Sequence, residues 1–215
     1  MSALYFDIEQ GSDEWMEARR GIVTASCFHK LITPTGKLAM GEKPKTYLAE
    51  LIAERIEPSE SFSNEWTERG LALEPDAVSA YEFITGNTVT PMGIVYKDAS
   101  YTASASPDGI VGENGGIEIK SLKLSNHIKH LLADTVPPEH VMQCQGCMWV
   151  TGREWWDFIS YSPSAKILIK RVERDEKIME TMDRVMPVFI ESLEQSAAFI
   201  MGYEYQTNQL LEAAA

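Results

Sequence analysis

Cysteine is scarce in this chain: three residues in 215 cannot build a disulfide framework, so a stapled secreted fold is excluded and a reducing compartment is expected. Long apolar runs are missing as well. None approaches the ~18 residues that a membrane-crossing helix requires, and the opening MSALYFDIEQGSDEW has neither the positive start nor the apolar core of a secretory signal. A cytoplasmic protein with no membrane contact is the expectation. Positive charge is also in deficit, with 19 Lys and Arg against 32 Asp and Glu and a formal net charge of −13. Proteins that hold DNA nonspecifically displace counterions with a broad basic footprint, so any nucleic-acid contact here must be local. No G-x-x-x-x-G-K-[ST] stretch is present, and ATP is not implied.

What is present is ordinary for a globular chain, with 44% hydrophobic and 24% charged residues. There is no internal repeat, no low-complexity tract beyond Ala213 to Ala215, and no composition shift that marks a linker. A single domain over residues 1–215 follows, long enough to bury its own core. Helical periodicity is clearest in KTYLAELIAERI, where Leu48, Leu51, Ile52 and Ile56 share a face. Ser12 and Ser63 have the form of helix N-caps, and Gly86 and Gly152 the form of helix stops. The segment EWTERGLALEPDAVSAYEFIT reads as one helix or as two divided near Gly70.

Beyond Gly86 the pattern shortens and partly alternates, so TVTPMGIVY, YTASASPDG and GGIEIKS read as adjacent strands. A helix over Ser125 to Ala133 follows, then a proline-opened helix PPEHVMQCQGCMWVT, the strands WWDFISYS and KILIKRVER, and a long helix bent or interrupted at Pro187. This order predicts an α/β (α+β) domain, a central mixed β-sheet flanked by helices.

One stretch carries chemistry: ASPDGIVGENGGIEIKS, Ala105 to Ser121. With strands over Ser104 to Val111 and Ile117 to Ser121, folding about Asn114 sets Asp108 opposite Lys120 and Ile110 opposite Glu118. Diagonal neighbours in such a ladder lie about 7–8 Å apart, and alternation puts Glu118 and Lys120 on one face, Ile117 and Ile119 on the other. The acids and the lysine can then converge. Two carboxylates supply hard oxygen ligands for Mg²⁺. The lysine can orient or deprotonate an attacking water, or neutralise charge on a scissile phosphate. The bland alternative is an exposed hairpin, since Asp-Gly is a common turn pair. An EF-hand counted from Asp108 fails, because Ile110, Gly112 and Glu113 occupy positions that need ligands or glycine.

Ser106-Pro107-Asp108-Gly109 followed by Gly116-Ile117-Glu118-Ile119-Lys120 resembles the signature of the restriction-endonuclease-like nucleases. GSDEWMEARRGIVTAS, ERGLALEPDA, QCQGCMWVTG and VERDEKIMETMDRVMPVFIE are in turn similar to successive blocks of the phage-lambda-type and viral alkaline exonucleases. The resemblance implies a restriction-endonuclease-like core and a Mg²⁺-dependent 5′ to 3′ exonuclease acting on double-stranded DNA ends. It further implies two ions, with Mn²⁺ able to substitute, a ring-shaped homotrimer, action in the host cytoplasm, and a 3′ strand passed to a single-strand annealing protein for recombination. Carried over by position, Asp108, Glu118, Glu74 and the backbone carbonyl of Ile119 would hold metal. Lys120 would be the catalytic lysine, Gln143 would support the site, and Arg19, Ser26 and Ser106 would grip the 5′-phosphate. The rival readings are a structure-specific or restriction-type endonuclease and a noncatalytic DNA-end or annealing-protein binding module.

Other features read more plainly. Lys123, His127, Lys129 and His130 give the segment after the lysine local positive charge suited to a DNA backbone. The Cys144-x-x-Cys147 pair, with Cys27 the sole other thiol, reads as reduced and packed rather than as a zinc site. Trp149, Trp155 and Trp156 are expected in the core, and Met179, Met182 and Met186 in the core or a subunit interface.

Overall fold

The computed structural model describes residues 3–57 and 65–203; the Ser63 cap and the terminal alanines lie outside them. The strands form two mixed sheets flanked by helices. One has the order β1 (Leu4–Phe6), β4 (Ile94–Tyr96), β5 (Ala103–Ala105), β2 (Val23–Thr24), with β2 parallel to β5. The other has the order β3 (Val89–Thr90), β6 (Gly109–Val111), β7 (Gly115–Ser121), β8 (Trp155–Tyr161), β9 (Leu168–Glu173), with β7 parallel to β8. The α/β class is as expected, but the predicted strand over Ser104 to Val111 is two strands, β5 and β6, that belong to different sheets. The break falls at Ser106-Pro107-Asp108. Proline offers no N–H to a ladder and locks its own φ, so pairing stops there and the chain crosses from one sheet to the other.

The β6–β7 hairpin is also set two residues away from the predicted register. Gly109 pairs with Ile117, Ile110 with Gly116 and Val111 with Gly115, across a turn of Gly112, Glu113 and Asn114 in which Gly112 takes φ +53. The reason lies in the next strand. Gly115 and Gly116 are registered with Trp155 and Trp156, and a Cβ on either glycine would run into the indole beside it. These glycines are strand residues that admit two tryptophans, not turn residues. A two-residue shift preserves faces, so Glu118 and Lys120 still share one side. Continuing the observed register places Asp108 beside Glu118 rather than opposite Lys120.

Helices cover both sides. α1 (Asp13–Arg19) starts at Ser12, whose hydroxyl accepts from the Trp15 N–H at 3.1 Å, and a 3₁₀ turn spans Ala25–Lys30. α2 (Glu42–Ile56) and α6 (Glu176–Met201) pack against each other, and α6 runs unbroken through Pro187. α3 (Glu65–Thr85) is one helix, not two. α4 (Leu124–Ala133) follows β7, and α5 (Pro138–Thr151) opens on a first-turn proline and stops at Gly152 in the left-handed region.

The larger core joins α5 to the 3₁₀ turn and α6 through Phe28, Met142, Met148, Trp156, Met182 and Met186. The smaller one lies under α3, where Ala77 and Tyr81 meet Val89, Ile117, Ile119 and Ile159. Cys144 and Cys147 are free and buried, and the three methionines of α6 are core residues. Asp157 of β8, 3% exposed, accepts from Tyr81 Oη at 2.8 Å and from two Arg171 nitrogens at 2.9 Å. That satisfied buried carboxylate ties α3 to β8 and β9. No helix among the described residues is long and apolar enough to cross a membrane.

Candidate active site

β7 lies between β6 and β8, so its backbone is held on both sides while its side chains alternate between the two cores. Ile117 and Ile119 enter the core under α3. Glu118, on the other face, is 1% exposed. Its Oε1 accepts from Lys120 Nζ at 2.5 Å, and its Oε2 is buried with no hydrogen-bond partner. Asp108, half-buried at the crossing between sheets, accepts from the Ile119 N–H at 2.5 Å. Its carboxylate is therefore fixed against the strand midway between Glu118 and Lys120. Glu74, half-buried on α3, completes the acidic group.

The electrostatics report crowding of like charge. Burial pushes the Asp108 carboxyl well above the ordinary range, Glu118 and Glu74 push it further, and Lys120 with the Ile119 N–H opposes them. Burial also raises Glu74, with Glu118 adding to it and Lys120 subtracting. Lys120 goes the other way from what burial alone would do, because Glu118 and Asp108 outweigh the desolvation and raise it. Acids gathered in a dry place around one ammonium leave a deficit of positive charge that a cation corrects.

The donor set fits a hard divalent ion. An unpartnered buried carboxylate oxygen costs free energy unless something binds it, and Glu118 Oε2 is such an atom beside a second carboxylate. Among the described residues no group of three or more His, Cys, Asp and Glu could hold a metal by itself. An ion here would rest on Asp108 and Glu118, with the Ile119 carbonyl and water completing its shell, as Mg²⁺ accepts.

The wall opposite Glu118 is α5. Gln143 is half-buried there, one helical turn after His140. The His140 ring stacks on Phe158 at 5.1 Å and 20°. Burial, reinforced by Lys120, pulls this imidazole down to about 4. Burial also holds the Cys144 thiol far above its usual value, with Glu118 contributing, so the cysteine beside the site is an inert packing group. Sequence reasoning missed His140. The available signal was its spacing, three residues before Gln143 on one helix face.

A second centre lies at the other end of the crossing. Arg19 stacks on Trp15, its guanidinium carbon 4.2 Å from the ring centroid, and burial lowers the guanidinium from its ordinary value. Trp15 Nε1 donates to Ser106 Oγ at 3.0 Å, so the indole couples the arginine to the serine. Ser26 and Ser106 leave the same end of the parallel β2–β5 pair, each two residues past the registered partners Thr24 and Ser104. Ser26 Oγ shares a hydrogen bond with Thr24 Oγ1 at 3.3 Å. Trp15, Arg19, Arg20, Thr24, Lys30 and Tyr47 line a cleft of about 540 Å³. Trp15 is the coupling residue that the motif comparison did not single out.

The expectation for the segment after Lys120 needs correction. His127 is fully buried, with Nδ1 2.8 Å from Ser160 Oγ and Nε2 2.9 Å from the Lys166 carbonyl. His130 Nδ1 lies 3.1 Å from the same hydroxyl. A carbonyl only accepts, so His127 carries its proton on Nε2; Ser160 then donates to His127 Nδ1 and accepts from His130. Both histidines turn their rings to β8 and pin α4 there rather than facing a DNA backbone, while Lys129 stays exposed.

A family model describing the YqaJ-like viral recombinase domain matches residues 14–154. The alkaline exonuclease LHK-Exo of Laribacter hongkongensis superposes with a TM-score of 0.79 at 32% identity, covering 88% of this chain and 96% of that one. Its complex with dAMP gives 0.77 at 34% identity over the same shares, 88% and 96%. The ExoD protein of Escherichia coli strain K12 is 30% identical over 79 residues, 34% of this chain and 91% of that protein.

Proposed function

This chain belongs to the YqaJ-like viral recombinase family, and from that premise we propose that it is a Mg²⁺-dependent exonuclease that digests one strand of duplex DNA from a 5′-phosphorylated end. Its core is restriction-endonuclease-like, and the likeness to an alkaline exonuclease supports a DNA exonuclease role. The observation that carries the finer reading is Glu118 Oε2, a buried carboxylate oxygen without a partner beside Asp108, with Lys120 on the other oxygen.

Mg²⁺ held by Asp108 and Glu118 would supply Lewis-acid polarisation of the scissile phosphate and acidify a bound water. Asp108, hydrogen-bonded to the Ile119 N–H, keeps its carboxylate aimed at the shared centre. Lys120, its proton retained by the two acids, donates towards charge developing on the phosphate or orients the attacking water. Glu74 adds a carboxylate from α3, and Arg19 with Ser106 receives the terminal phosphate through a planar fork and a hydroxyl. The reading extends to a homotrimeric ring that releases a 3′ strand to a single-strand annealing protein, for phage-type recombination in the host cytoplasm.

The decisive experiment incubates linear duplex bearing a 5′-phosphate on one strand only, with Mg²⁺ or with a chelator. Loss of the phosphorylated strand in Mg²⁺ alone, slowed by Arg19→Ala and with closed circles untouched, is the expected result. Rapid cutting of circles would replace the reading with an endonuclease, and binding of ends without digestion would replace it with a noncatalytic module.

A further inference from the structure

We propose that Glu54 and Arg55, neighbours at the end of α2, are positioning residues of the phosphate grip: they clamp both backbone groups of Gly21 and so hold the short helix that carries Arg19. The functional consequence rests on the nuclease reading; the clamp itself does not. The Gly21 N–H donates to Glu54 Oε2 at 2.9 Å, and Arg55 Nε donates to the Gly21 carbonyl at 2.8 Å. The other two nitrogens of the same guanidinium donate to the two oxygens of Glu194 on α6, at 2.9 and 2.6 Å. One planar fork thus joins three pieces of chain. Gly21 has to be glycine for this to happen, since it takes φ +64 and a Cβ there would lie 2.3 Å from Arg55 Cγ.

The need for a clamp comes from α1. Isolated helices below about 12 residues are marginal in water, and α1 has seven, none of them buried in the core. Its direction therefore depends on polar anchors. Ser12 caps the first turn, Trp15 reaches Ser106, and Tyr96 Oη donates to the Ala18 carbonyl at 2.5 Å. Beyond Arg19 the chain turns at Gly21 towards β2, and there Glu54 and Arg55 tie it to α2. Glu54 also lines the same cleft as Arg19. Its Oε2 is engaged by Gly21, and the ion pairs of the described residues leave the Arg19 guanidinium out. The arginine is held in place from behind while its fork stays available to phosphate oxygens.

The test uses the full chain in Mg²⁺ and reads the ratio of kcat/KM on duplexes with 5′-phosphoryl and 5′-hydroxyl ends. A ratio cancels any general loss of folded enzyme, which slows both substrates alike. Glu54→Ala and Arg55→Ala are expected to lower it about 10- to 100-fold, the scale on which about 1 Å of misplacement acts. Glu54→Gln keeps an acceptor for the Gly21 N–H and is expected to stay near the parental ratio. Parental ratios in both alanine variants overturn the inference, and so does a Glu54→Gln ratio as low as that of Glu54→Ala. A second arm needs no turnover: in metal-free, ¹⁵N-glycine-labelled protein the Gly21 amide proton should exchange faster with solvent in Glu54→Ala and keep its protection in Glu54→Gln. Unchanged exchange in Glu54→Ala overturns the clamp. A parent that digests neither substrate while this amide behaves as expected sinks the nuclease reading, and with it the functional half of the inference.

Discussion

Replacing Lys120 with methionine isolates the central electrostatic contact, because the aliphatic stem is kept and the ammonium is lost. The perturbed partner is Glu118, 1% exposed, with one oxygen on Lys120 and the other on nothing. Breaking a buried pair by removing one member leaves an uncompensated charge and costs about 3–5 kcal/mol. The Lys120 side chain is itself 29% exposed, so water reaches the gap and the low end, about 3 kcal/mol, applies. In a chain of this size each kcal/mol moves the melting point about 2–4 °C, a loss of about 6–12 °C. The assay is thermal and urea unfolding at pH 7 in chelator, with Glu118→Gln and the double variant completing a cycle.

The double variant should regain most of the stability, since no charge is then stranded. Mg²⁺ should stabilise the Lys120 variant, by about 2.7 kcal/mol at a hundredfold excess over its dissociation constant, while DNA digestion stays lost. The pH dependence has a definite sign. Lys120 has a raised folded-state value, so the pair's contribution is present below the free lysine value of about 10.4 and is lost as pH climbs through the folded one. A Lys120→Met protein that unfolds within about 0.5 kcal/mol of the parent would refute the convergence of these groups.

Asp108→Asn should raise the melting point of metal-free protein at neutral pH: with a raised folded value, the acid's contribution is present below the free carboxyl value of about 3.9 and is lost as pH climbs from there through the folded one. The same variant should lose stabilisation by Mg²⁺ in calorimetry. Ser160→Ala removes the proton that this hydroxyl offers to His127 Nδ1 in the buried relay, and urea unfolding should show a loss of about 1–3 kcal/mol. Trp15→Phe keeps a ring under Arg19 but deletes the donor to Ser106, and competition between 5′-phosphorylated and 5′-hydroxyl duplexes should show a weaker preference for phosphate.

The sequence disclosed the parts of the site that depend on short-range rules. Alternation alone puts Glu118 and Lys120 on one face, and proline and glycine punctuation bounds α5 correctly. What alternation does not reveal is register, because the space that Gly115 and Gly116 leave belongs to Trp155 and Trp156, some 40 residues later. The roles of His127, His130 and His140 were hidden for the same reason. Each is decided by a residue of β8, Ser160 or Phe158, that comes close only when β7 and β8 pair in parallel. Helical spacing placed them on helices; only the sheet shows which way they turn.

Ser106, Pro107 and Asp108 serve both centres, one end hydrogen-bonded to the Trp15 that stacks on Arg19 and the other to the strand that bears Glu118. Two residues of chain can stretch only about 7 Å, and the ring of Pro107 stiffens the span. In the proposed reaction, the span from phosphate grip to scissile bond would then be set by covalent chain rather than by the breathing of one sheet against the other, and inserting one residue beside Pro107 would change it.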